Sequence, residues 1–165
     1  MKELEIAVVD AGLLSGGAWI RSLERDLDKN SIPFEIEGFR NVIPAMEAFA
    51  SRRYDLIITD LHVAPGFGFE EDPEISRIIA DSTEIIPYWK IVCHAISQAR
   101  TPKSPNRKTP ILVATIYHPT DYTLCQDAEI KVREAGATDY LYLVGDSLNI
   151  KEFIKRVKSY LPKED

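Results

Sequence analysis

Cysteine is scarce in this chain: Cys93 and Cys125 are the only two among 165 residues, far apart and without metal-ligand spacing. That argues against a disulfide-dense scaffold or a zinc module, and two reduced thiols in an intracellular protein are the expectation. No apolar run approaches membrane length, and Met1-Lys2-Glu3-Leu4-Glu5 lacks the apolar core of a signal peptide. Positive charge is also short. With 20 Lys and Arg against 26 Asp and Glu, the net charge of −6 speaks against a nucleic-acid or membrane-surface binder. Gly12 and Gly16-Gly17 lack dinucleotide-loop spacing, and neither a Ser-His-Asp order nor a metal-binding histidine pair stands out. No internal repeat or low-complexity segment occurs. A single soluble, cytoplasmic domain spanning 1–165 is expected, long enough to bury a sizeable core.

What is present is organised around Tyr54-Asp55-Leu56-Ile57-Ile58-Thr59-Asp60, an apolar run bounded by turn residues, as a strand buried on both faces would be. It ends on a carboxylate where the chain leaves the sheet. Leu4–Val9, ending at Asp10, and Ile111–Ile116 are runs of the same kind, while 34–39 suits an edge-side strand and 139–144 a last one. Between them lie helical patterns. Trp19, Ile20, Leu23 and Leu27 share one face of a helix from about Ser15. Asn41 is placed to cap the next, with Met46, Phe49 and Ala50 inward. A short helix is expected near 74–80 and a main one near 84–100, with Trp89, Val92, Cys93 and Ile96 buried and His94 packed or solvent-facing. The Pro-rich basic stretch 101–108 is expected to be solvated. A helix over 121–135 stops at Gly136, a left-handed cap, and Asn149 with Glu152 marks the start of the last helix.

Strands and helices that alternate in this way imply a parallel sheet with right-handed crossovers. With the three apolar runs central, the expected fold is a flavodoxin-like, three-layer α/β/α sandwich of five parallel strands in the order 2-1-3-4-5. Ligands in such sheets collect at the carboxyl ends of the strands, at the switch point between strands 1 and 3. Asp10 and Asp60 then sit side by side with Thr115 next to them. Two neighbouring carboxylates repel unless they share a cation or a proton. Mg2+ suits such hard oxygen donors, and a carboxylate beside it can act as a nucleophile toward phosphorus.

The chain at this point resembles the response-regulator receiver domain of two-component signalling (CheY-like). The resemblance lies in Ile6-Ala7-Val8-Val9-Asp10, in Tyr54-Asp55-Leu56-Ile57-Ile58-Thr59-Asp60 with Pro65-Gly66, in Pro110-Ile111-Leu112-Val113-Ala114-Thr115, and in Glu134-Ala135-Gly136-Ala137-Thr138-Asp139-Tyr140-Leu141. It implies that Asp60 matches the phospho-accepting aspartate, that Asp10 and Asp60 are metal ligands for Mg2+, that Thr115 hydrogen-bonds the phosphoryl group, and that Tyr140 is the switch aromatic. It also implies protein partners, a histidine kinase or a downstream signalling protein, docking on helix 4, strand 5 and helix 5 in the family's count.

Several positions depart from the family. Ala11 stands where a second acid is usual, Ile116 where a small residue follows the hydroxyl, and Leu143-Val144 where a lysine and proline end strand 5. An insertion of about 68–88 follows the Asp60 loop. The missing lysine removes a charge-assisted hydrogen bond worth roughly 1.5–3 kcal/mol. Glu70, Glu71 or Asp72 are candidate replacement acids, Lys90 or Lys108 candidate cations, and His62 a candidate ligand or proton shuttle. His118 has weaker claims. The leading expectation is a phosphorylation-independent interaction module, a pseudo-receiver whose chemistry is at most phosphoryl acceptance and self-dephosphorylation at Asp60. Its rivals are an Mg2+-dependent phospho-acceptor and, more remotely, a flavodoxin-like cofactor binder.

Overall fold

Alternation along the apolar runs distributes the sheet's side chains between two helical layers. The computed structural model describes residues 2–10, 12, 17–83, 85–115, 127–143 and 147–162, with backbone alone at 147–149. Its parallel strands β1 (Leu4–Val9), β2 (Phe34–Phe39), β3 (Leu56–Thr59), β4 (Ile111–Thr115) and β5 (Asp139–Tyr142) lie in the order 2-1-3-4-5, as the element pattern implied. Ala7, Val9, Ile57, Ile111 and Val113 face a layer made of α2 (Val42–Ser51), α4 (Tyr88–Ala99) and α5 (Ala128–Ala135). Ile6, Val8, Leu56, Ile58, Leu112 and Ala114 face α1 (Ala18–Lys29) and α6 (Ser147–Tyr160). Trp19, Ile20, Leu23 and Leu27 form the buried stripe of α1, and Trp19 meets Phe153 of α6 edge to face at 5.8 Å.

The helix boundaries show where local signals were overridden. The main helix begins at Tyr88, not near 84, because Pro87 has no N–H to contribute and disfavours helical geometry in the residue before it. Its buried face is Ile91, Val92, Ala95, Ile96 and Ala99, so Trp89 and Cys93 are only half-buried. Ala50, expected inward, is exposed, and α2 is buried through Val42, Ala45 and Phe49. Asn41 occupies the cap position of α2 but makes no side-chain cap bond. The first N–H groups of that helix go instead to the carbonyls of Ala64 and Pro65, at 3.0 and 2.9 Å. The last helix starts at Ser147, which puts Asn149 inside it, and the Glu152 carboxylate accepts from Arg156 one turn on. Gly136 is the left-handed cap of α5 at φ +111°, while 121–126, Ile116, His118 and Val144 lie outside the described residues.

Within the insertion, a 3-10 turn (Phe69–Glu71) leads into α3 (Pro73–Ala80), whose Ile75 and Ile78 join the core. Asp72 caps α3 through the N–H groups of Glu74 and Ile75, and its other oxygen lies 3.0 Å from His94 Nε2 on α4. His94 thus ties the insertion to the main helix, a role its helical position did not reveal.

The basic stretch 101–108 is more than a solvated tail. Asn106 is fully buried: its Oδ1 accepts from Tyr54 N–H at 2.9 Å, and its Nδ2 donates to the carbonyls of Phe49 and Arg52 at 2.9 and 2.7 Å. The Arg100 guanidinium donates to the carbonyls of Asn106, Arg107, Thr109 and Gly136, pinning the stretch from the other side.

Candidate functional site

Register builds the site. Val9 of β1 pairs with Thr59 of β3, so the next residues, Asp10 and Asp60, leave the sheet as neighbours. Backbone bonds hold both: Asp10 N–H donates to Phe39 carbonyl at 2.9 Å, and Asp60 N–H to Val9 carbonyl at 3.0 Å. Asp10 is buried and Asp60 half-buried. The Thr115 hydroxyl, buried at the end of β4, hydrogen-bonds the Asp60 carboxylate. The three residues expected to meet here do so.

Asp60 is chemically perturbed. Burial, followed by the negative charge of Asp10, pushes its carboxyl up to about 6, against the opposing hydrogen bonds from Thr115 and from the N–H groups of Leu61 and His62. The Leu61 N–H lies 2.6 Å from Oδ1. His62 therefore contributes its backbone to the site. Among the described residues, the groups acting most strongly on Asp60 are Thr115, Asp10 and the N–H groups of Leu61 and His62. Oxygen donors of two carboxylates, one resisting ionisation beside the other, fit a divalent cation such as Mg2+, which commonly takes one or two protein carboxylates and waters.

The candidate replacements are not gathered here. Among the described residues no group of three or more His, Cys, Asp or Glu side chains could hold a metal ion, so Glu70, Glu71 and Asp72 do not complete the pair. Asp72 is committed to its helix cap and His94. Lys90 lies over the Trp89 ring, 5.6 Å from its centroid. Lys108 precedes β4 at the opposite end of the sheet. Leu143, at the position of the family's lysine, is 4% exposed and belongs to the core cluster on the α1 and α6 side. Tyr140 on β5 is half-buried against the other cluster, two register positions before Tyr142, the partner of Thr115.

The loop leaving Asp60 is anchored by Leu61 and Val63, both essentially inaccessible. Gly66 turns it at φ +88°, and a Cβ there would lie 2.7 Å from Asn41 Cβ. Gly66→Ala is expected to destabilise the protein by at least about 2 kcal/mol, from the left-handed backbone and the clash together. Chemical denaturation checks this, and an unchanged midpoint would mean that the loop relaxes freely.

This arrangement of sheet and helical layers is the CheY-like fold of response-regulator receiver domains. In sequence, the chain matches no family model and no curated protein. Among solved structures, it is similar to the Mn2+-bound form of the response regulator Rcp1 at 19% identity and a TM-score of 0.60, over 97% of this chain and 99% of that one. A response regulator from Hahella chejuensis is similar at 22% identity and a TM-score of 0.59, over 95% and 91%. The receiver domain of a sensor histidine kinase from Pseudomonas aeruginosa, with magnesium coordinated in its active-site cleft, gives 17%, 0.56, and 94% and 97%. At such identities the likeness establishes the fold.

Proposed function

We propose that this chain is a receiver-like signalling module, a single unit with an insertion at 68–88, that acts by protein contact without needing phosphorylation. The observation that carries this reading is Leu143. An apolar side chain sealed into the core occupies the place of the cation that would pair with a phosphoryl group and transmit its arrival. The partner, a histidine kinase or a downstream signalling protein, docks in this reading on α5, β5 and α6. Its setting in this reading is the cytoplasm, in keeping with the scarcity of cysteine.

A second reading is favoured by the Thr115–Asp60 hydrogen bond and the adjacent Asp10. Here Asp10 and Asp60 would hold Mg2+, which would supply charge neutralisation. Asp60 in its ionised form attacks phosphorus, an O–P bond forms, and the P–N bond of a phosphohistidine breaks. Thr115 shifts its hydroxyl from the carboxylate to the transferred group.

Incubation with a small-molecule phosphodonor and Mg2+, followed by intact mass measurement, separates the two. The interaction-module reading expects no phosphoryl adduct that depends on Asp60. A stable adduct in the native chain, absent from Asp60→Asn, would overturn it in favour of the second.

A further inference from the structure

The amino-terminal end of the sheet, opposite Asp10 and Asp60, opens a cavity of about 400 Å³ whose walls include Arg53, Arg107, Lys108, Tyr160, Pro105 and Pro162. That volume lies within the roughly 300–1,000 Å³ of small-molecule sites. Three cations meet here on a chain of net charge −6. None of the three forms an ion pair among the described residues, although many other basic side chains do. The one acid on the wall, Asp55, is already engaged by Lys2 Nζ at 3.3 Å and by the Glu5 N–H at 3.1 Å. The charge that would balance these side chains is therefore not supplied by the described part of the chain.

The backbone that carries these exposed side chains is held in place. Arg107 and Lys108 sit on the stretch that buried Asn106 and the Arg100 guanidinium hold in place, and Asn106 fixes the backbone of Tyr54 next to Arg53. The Tyr160 hydroxyl donates to Asp139 Oδ2 at 2.9 Å, which orients its ring. Two guanidinium forks match the oxygens of a phosphate. The tyrosine ring and the prolines add flat apolar surface, and the volume exceeds what a bare phosphate fills.

We propose that this cavity binds a phosphate monoester carrying a flat ring, of mononucleotide size, independently of the Asp60 end. The test is titration of the full 15N-labelled chain with AMP, followed by NMR. Amide shifts are expected at Arg53, Arg107, Lys108 and Tyr160. Adenosine is expected to bind at least tenfold more weakly, and the triple variant Arg53→Gln, Arg107→Gln, Lys108→Gln to lose at least tenfold in AMP affinity. The three side chains make no ion pairs in the described fold, and an unchanged thermal midpoint verifies that the variant is folded. No shifts at these residues up to millimolar AMP, shifts centred on Asp60 and Leu61, or equal binding of adenosine would each overturn the assignment. Inorganic phosphate binding as tightly as AMP, or an acidic peptide binding the same residues more tightly, would overturn the ligand class.

Discussion

Asp60→Asn is expected to raise stability at pH 8 by up to about 3 kcal/mol, the free energy that corresponds to a carboxyl held near 6 when its unfolded value is about 3.9. The elevated value means that the native state favours the protonated form. That contribution is fully present below the unfolded value of about 3.9 and is lost as pH rises through about 6. At pH 8 both Asp10 and Asp60 must be accommodated beside each other, with Asp60 ionised and partly withdrawn from water. Asparagine keeps the shape and an oxygen for the Leu61 N–H while removing the charge. The thermal midpoint of the variant should exceed that of the native chain by several degrees at pH 8, with the gap closing toward pH 4. Millimolar Mg2+ should raise the native midpoint and leave that of the variant nearly unmoved, because the cation relieves a repulsion that the variant lacks. Equal midpoints at pH 8 would show that the two carboxylates are relaxed in each other's company.

Asn106→Ala is expected to act in the opposite direction and at the other end of the sheet, destabilising the protein by about 3–5 kcal/mol. The amide makes three bonds to backbone groups of a separate segment, Tyr54 N–H and the carbonyls of Phe49 and Arg52. Truncation leaves those groups without their partner in a site closed to water, at about 1–3 kcal/mol for each buried group left unsatisfied. Asn106→Asp should be nearly as damaging, since it turns the donor facing two carbonyl oxygens into an acceptor. Thermal unfolding followed by circular dichroism measures both, and a loss of around 10 °C is the expected scale for a chain of this size. A loss under 1 kcal/mol would mean that water replaces the amide.

These two residues also mark how far the sequence could be followed. Asp60 was legible because a buried strand announces itself by its apolar run, and a carboxylate at its end lies at a predictable place in an open parallel sheet. The departure at Leu143 was legible against the family pattern, but its burial was not. Asn106 looked like one more polar residue in a Pro-rich, basic loop, and nothing local distinguishes a buried amide from a solvated one. The same holds for Asp72 and His94, 22 residues apart and joined by a single contact at 3.0 Å. The start of the main helix was missed, whereas α2 begins where Asn41 placed it but is capped by other groups. Pro87 delayed α4, while the carbonyls of Ala64 and Pro65 did the capping expected of Asn41.

By itself, then, the sequence determined the order of strands, the two-sided burial of the sheet and the meeting of Asp10, Asp60 and Thr115. All of these follow from periodicity along short stretches and from the fixed handedness of crossovers. Only the tertiary structure decided that Asp60 resists ionisation, that Leu143 is sealed in the core, that Asn106 is a buried strut, and that Arg53, Arg107 and Lys108 line one cavity. Each of these depends on which distant segments come within a few ångströms of one another. Desolvation and hydrogen bonding are set by those distances, and no local pattern encodes them.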